Sequence, residues 1–193
     1  MTTYRLLNDV NNCHEAFIDF KSFRRQFNEL KVWFPQENVR LLEKLKKTWV
    51  PVAVTFSSDK TNNIVPDISV WNLSCLVLSS KAEALLRPLL ATEGELLALE
   101  QGFYLFNCLQ SIGNKAVDAK GTSMQIEFAE GASTPKALAL ISEQIAGITI
   151  FKPGFLDNGF LMCQDELKSL IVSNNLSGIT FEENLAQIFS AGG

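Results

Sequence analysis

Four cysteines, one histidine and a glycine-bearing polar loop are the residues of this chain whose types could support chemistry. Cys13, Cys75, Cys108 and Cys163 are scattered, with no CxxC and no short ligand spacing. Cys75, Cys108 and Cys163 each lie in an apolar run ("LSCLVL", "LFNCL", "FLMC"), where free cysteine packs as a small hydrophobe. Buried, reduced thiols are therefore expected, with neither a disulfide nor a metal role. His14 is the only histidine, which rules out a His–His metal site or an HExxH helix. It adjoins Cys13, but thiol activation needs a base in spatial contact, not one adjacent in sequence. A surface or partly buried histidine is the expectation, and no catalytic residue, metal site or cofactor is assigned.

The stretch "YLFNCLQSIGNKAVDAKGTS", residues 104–123, holds the remaining candidates. Its glycines are too widely spaced to cradle a phosphate. No P-loop, GxGxxG, GxSxG or EF-hand pattern occurs anywhere in the chain. Asp118 could serve as a general base, yet nothing in the sequence supplies its partner. An aspartate hydrogen-bonded to backbone within a turn is the simpler reading. "YLFNC" reads as a buried strand and "QSIGNKAVDAKGTS" as its polar continuation.

The elements around this stretch define the fold class. "TYRLLND" reads as an edge strand, and "EAFIDFKSFRRQFNELKVWF" has no clean period. "QENVRLLEKLKKTW" places Val39, Leu42, Leu45 and Trp49 at helical spacing. "VPVAVTFS" is β-branched and short, a strand, and the polar "SDKTNNIVPD" after it is the internal boundary. Two similar strand–helix–strand units follow, "LSCLVLSSKAEALLRPLLATEGELLAL" and "GFLMCQDELKSLIVSNNLSGITFEE". In the first, Ser80 and Glu83 match a capping box, and Pro88 should end or kink the helix. In the second, Leu167, Leu170 and Ile171 form the buried helical face. Between the units, "GFYLFNCL", "MQIEFAE" and "GITIFKP" read as strands. "TPKALALISEQIA" offers Thr134 as N-cap and Pro135 at N1 of a helix, and "EENLAQIFS" reads as a short terminal helix. The fold class is α+β, with a mixed or largely antiparallel sheet and several short packed helices.

Composition bounds the function. The 193 residues can bury a sizeable core. Two parts are expected: an N-terminal segment of helix plus strand, residues 1–60, packed on a main domain, residues 61–193. The formal charge of −4 gives no reason to expect nucleic acid as a partner. Residues 1–60 carry ten basic and seven acidic side chains, a net +3, and the remainder is net −7. An acidic surface of that kind suits a basic protein partner. "MTTYRLLNDVNN" shows no basic region followed by an apolar stretch, and the apolar runs fall short of the roughly 20 residues that span a bilayer. A cytoplasmic protein without membrane contact is expected.

In order and spacing, "PDISVW", "LVLSSKAEALLRPL", "GELLAL", "YLFNCLQSIGNKAVDAKGTS", "ITIFK", "FLMCQDELKSLI" and "LSGITF" resemble a bacterial immunity-protein family. It is the family called immunity protein eleven, formerly described as a domain of unknown function. The resemblance covers residues 66–181 and departs from the family pattern at Gly113 and Asn114. It implies a protein that binds and neutralises a cognate toxin by stoichiometric contact, without catalysis. Asp67, Ser80, Tyr104, Asn107 and Asp118 match recurrent polar or aromatic positions. Trp71, Asn107, Asp118 and Lys120 are the expected partner anchors; Trp71 also reads as a core or edge tryptophan. Two other classes stay open. One is a hydrolase or transferase using carboxylates around Asp118; the other is a structural or adaptor protein that joins identical chains.

Overall fold

Cys75–Leu78 is buried at every position, so both faces of this strand need a cover. The chain supplies helices on one side and a two-stranded ribbon from its N-terminal part on the other. The computed structural model describes residues 2–24, 42–57, 60, 64–126 and 133–186. In chain order come β1 (Thr3–Asn8), β2 (Glu15–Ile18), α1 (Phe20–Arg24), β3 (Val54–Ser57), β4 (Ile68–Trp71), β5 (Cys75–Leu78), α2 (Ser80–Leu90), β6 (Gly94–Ala98) and β7 (Tyr104–Cys108). Next are β8 (Ser111–Ile112), β9 (Ser123–Ile126), β10 (Ser133–Ala137), β11 (Ile150–Pro153), β12 (Met162–Gln164), α3 (Asp165–Ser173) and β13 (Ile179–Glu182).

The strands form a five-stranded sheet, β13-β1-β12-β11-β8, and a four-stranded sheet, β4-β5-β7-β6. Two ribbons, β2-β3 and β9-β10, lie beside them, and single bridges link Cys13 with Ile64 and Val117 with Leu140. Every ladder is antiparallel except β11 with β8. The fold is therefore α+β with a largely antiparallel sheet. The strand–helix–strand pattern also holds in both units, as β5-α2-β6 and β12-α3-β13.

Alternation along the strands divides the apolar residues among three cores. Leu76 and Leu78 of β5 and Phe106 of β7 join Tyr4, Leu6, Leu86, Leu90, Leu167 and Ile171 in a core that takes residues from both sheets and both long helices. The opposite positions, Cys75, Val77 and Leu105, pack on Ala16, Ile18, Phe23, Leu45 and Val54. On the far side of the five-stranded sheet, Phe151 and Met162 meet Ile112, Ala116, Ile145 and Leu185. Each fully buried Leu, Ile, Val, Phe or Met among them stabilises the fold by about 1.5–3 kcal/mol.

Several expectations are corrected. β1 is not an edge strand, because it pairs with β12 on one side and β13 on the other. Residues 42–49 of the expected 36–49 helix are turns and irregular chain, with Leu42 left-handed at φ 61°; residues 36–41 lie outside the described residues. The Glu95 carboxylate takes the N–H groups of Leu45 and Lys46, and Leu45 is buried against the four-stranded sheet. These tertiary partners outweigh the helical period. The helix expected from Thr134 is instead strand β10, paired with β9 and irregular between Pro135 and Ala137. A proline is tolerated there because a two-stranded ribbon leaves one edge of each strand unpaired.

The cap of α2 is Ser79, whose hydroxyl accepts from the Ala82 N–H at 3.2 Å; Ser80 donates instead to the Gly102 carbonyl. Glu83 pairs with Arg87 across one turn. Pro88 lies inside α2, which continues to Leu90. The carbonyl its missing N–H would have served belongs to Ala84, an exposed residue. In the expected terminal helix, Asn184–Ala186 is not helical, and residues 187–190 lie outside the described residues.

Candidate functional site

The polar stretch after β7 folds back on the segment that follows β10. A short 3-10 turn, Asn114–Ala116, seats Ala116 in the third core. The Ile141 N–H donates to the Ala116 carbonyl at 2.8 Å, and the Asp118 N–H donates to the Ala139 carbonyl at 3.0 Å. Thr122 closes the loop, its hydroxyl accepting from the Ala139 N–H at 3.1 Å. Between this loop, the β9-β10 ribbon and the turn after β11 lies a groove of about 330 Å³. Its wall is mainly apolar, from Val117, Met124, Leu138, Phe155 and Leu156, with Asn114 and Thr122 as polar contributors.

Asp118 and Lys120 both belong to this loop. Asp118 is half-buried and Lys120 exposed. The Asp118 carboxylate accepts the Lys120 backbone N–H at 2.9 Å, which is the turn geometry expected of an aspartate at such a position. Among the described residues, no second titratable side chain is hydrogen-bonded to Asp118.

Trp71 and Asn107 lie elsewhere, on one cross-strand row of the four-stranded sheet. Register pairs Trp71 with Cys75, Cys75 with Asn107, and Asn107 with Glu95. Asn107 is fully buried, which corrects its assignment as a surface anchor. Its amide donates to the Glu43 carbonyl at 2.8 Å and to Glu95 at 3.5 Å. Together with Glu95 it therefore fastens residues 43–46 over the sheet. Trp71 is half-buried, its ring edge-on to Phe23 with centroids 4.7 Å apart.

The other positions singled out by the resemblance have structural partners. Asp67 joins Ser79, Lys81 and Ser177. Ser80 bonds to Gly102, and Tyr104 packs against the central core.

The thiols are withdrawn from chemistry. All four cysteines are buried, reduced thiols. Burial pushes the Cys75 thiol up to about 11 and Cys108 up to about 12, and it raises Cys163 further still. A thiol held that high supplies almost no thiolate near neutrality. His14 is half-buried, as the sequence suggests.

Two buried cations escaped the sequence reading. Arg5 lies over the Phe160 ring at 3.6 Å, and burial lowers its pKa to about 10. Lys152 on β11 is fully buried, and burial depresses its pKa. The only available signal was alternation, which sets Lys152 on the same strand face as the core residue Ile150. The groove itself had no sequence signal, because its walls come from three segments with no shared motif.

No group of three or more metal-ligating side chains occurs among the described residues, and none of their helices is long and apolar enough to cross a membrane. No protein-family model matches the chain, and no curated protein matches it.

Proposed function

We propose that this chain is an immunity-type binding protein that neutralises a cognate bacterial toxin in the cytoplasm of the producing cell, by stoichiometric contact and without catalysis. The observation that carries the reading is the apolar groove beside the Asp118–Lys120 turn, a concave surface backed by hydrogen-bonded loop and bordered by charge. Protein interfaces combine such an apolar centre with a polar margin. A complete interface of about 1,600 Å² would extend well beyond it. The resemblance over residues 66–181 supports the same class, and the inaccessible thiols and the turn role of Asp118 favour binding over catalysis.

The test is co-expression with the toxic product of a neighbouring gene. Rescue of growth and a one-to-one complex by light scattering are expected. Met124→Asp, which puts a charge on an exposed part of the groove wall, should abolish rescue while the far-ultraviolet circular dichroism stays unchanged. Asp118→Ala should weaken binding without unfolding the chain. Failure of every adjacent toxin candidate to be neutralised would overturn the proposal.

A further inference from the structure

We infer that this chain consists of two copies of one structural unit that lend each other a strand, and that the same exchange can join two chains into a dimer. The inference is independent of the toxin-binding reading, and its partner is a second copy of this chain.

The first unit is β4-β5-α2-β6 and the second is β11-β12-α3-β13. In each, two antiparallel strands lead into a helix and then into a last strand, and a strand from outside the unit fills the gap between the second strand and the last. β7 fills that gap in the first unit and β1 in the second. β1 precedes the first unit in the chain and β7 precedes the second. Each half therefore supplies the inner strand of the other half's sheet.

The equivalence extends to single residues. Ser79 and Gln164 stand at the N-caps of the two helices, and three and seven residues beyond them Ala82 and Leu86 match Leu167 and Ile171. All four lie in the central core, as do Leu76 and Leu78 before one helix and Leu161 and Cys163 before the other. The residues between, Val77 and Met162, face the other two cores. In the lent strands, Tyr104 pairs with Leu78 and Tyr4 with Cys163. Two residues on, Phe106 pairs with Leu96 and Leu6 with Phe181. Just past each lent strand, the Leu109 N–H donates to the Glu93 carbonyl at 2.8 Å and the Asp9 N–H to the Gly178 carbonyl at 3.0 Å. Glu93 and Gly178 both immediately precede the last strand of the receiving unit. A common packing preference alone does not reproduce partners residue by residue; the units are one motif in two copies, related as the halves of an isologous dimer.

Among the described residues β6 has no ladder partner except β7, and β13 none except β1. Neither half completes its sheet alone. The chain passes from one half to the other through the turn Leu99–Phe103, where the Leu99 N–H donates to the Phe103 carbonyl at 2.8 Å. Its exposed Gln101 takes left-handed backbone at φ 60°, a conformation disfavoured for a residue with a Cβ. Opening the turn relieves Gln101 and lets the N-terminal half of one chain close on the C-terminal half of another, with the contacts between halves retained.

Two experiments on the full chain test this. Deleting Glu100–Gly102 leaves a connection too short for β6 and β7 of one chain to pair. That variant should be a dimer by light scattering, with the far-ultraviolet circular dichroism of the wild type, and a folded monomer would overturn the inference. The second experiment decides it whether or not the deletion variant folds. Leu86→Asp and Ile171→Asp each bury a charge in the central core, so each should be unfolded alone. Refolded together from urea, they should form a mixed dimer with one native lobe, built from the intact half of each chain, and recover about half of the wild-type signal. No recovery on mixing would overturn the inference. A variant that folds alone would overturn it too, because the halves would then not depend on each other.

Discussion

Asp67 and Ser177, 110 residues apart, hold each other from both sides: the Asp67 N–H donates to the Ser177 hydroxyl oxygen at 3.2 Å, and the Asp67 carboxylate accepts the Ser177 N–H at 3.1 Å. The same carboxylate accepts the hydroxyl of Ser79, the cap of α2, and meets Lys81 at 3.5 Å. One side chain thus ties the start of β4, the start of α2 and the turn before β13. Asn8 makes a comparable bridge, its amide bonding both the N–H and the carbonyl of Val70. The two sheets are joined by such polar links as well as by their shared core.

The Asp67 junction predicts a pH dependence. Burial pulls its pKa upward, but the Ser177 and Ser79 bonds and Lys81 outweigh that and hold it below the ordinary carboxylate value. A folded-state pKa below the unfolded one stabilises the protein above the unfolded value, about 3.9, and the contribution disappears as pH falls through the folded value. Asp67→Asn should therefore lower stability by about 1–2 kcal/mol at pH 7. Its difference from wild type should shrink as the pH falls below the unfolded carboxylate value of about 3.9. Urea titrations of both proteins at pH 7 and pH 3 test this, and a pH-independent difference would refute the assignment.

Gly178 lies beside the same junction, at φ 111°. A Cβ there would sit 2.0 Å from the Ile68 carbonyl oxygen and 2.3 Å from Pro66. Gly178→Ala should destabilise by more than about 2 kcal/mol, combining a steric clash with backbone strain. A chemical denaturation midpoint equal to wild type would show that the close approach relaxes at no cost.

Asn107 should act through the segment it fastens. Asn107→Ala removes the donor to the Glu43 carbonyl and leaves the carbonyl to find another partner. A loss of about 1–3 kcal/mol is expected. Trypsin should also cut sooner at Lys44, Lys46 and Lys47, which are exposed on that segment. Unaltered cleavage kinetics there would show that Glu95 and Leu45 suffice to hold it.

The thiols supply a prediction about reactivity. Burial raises Cys13, Cys75, Cys108 and Cys163, so the native protein at pH 8 should react with a thiol-specific chromogen only as fast as it unfolds. All four should react promptly in denaturant. A native thiol that titrates at once would identify a site more open than its burial suggests.

By itself the sequence determined the α+β class, the two strand–helix–strand units and the buried thiols, because each rests on local periodicity or on a continuous apolar run. β5 and β7 were legible for that reason, and so was the buried face of α3, with Leu167 and Ile171. Asp118 was legible as a turn residue, since its hydrogen bond reaches only two residues along the chain.

Tertiary structure decided the rest. The stripe of Leu42, Leu45 and Trp49 records a demand for burial, but that demand is equally met by irregular chain when Glu95, fifty residues away, captures the backbone of Leu45. Thr134 and Pro135 form a good helix start until β9 offers them a ladder. Asn107 carries the same polar amide whether it faces a partner or the interior, and only the cross-strand row placed it inside. The groove arises from the juxtaposition of three segments and is not encoded in residue spacing.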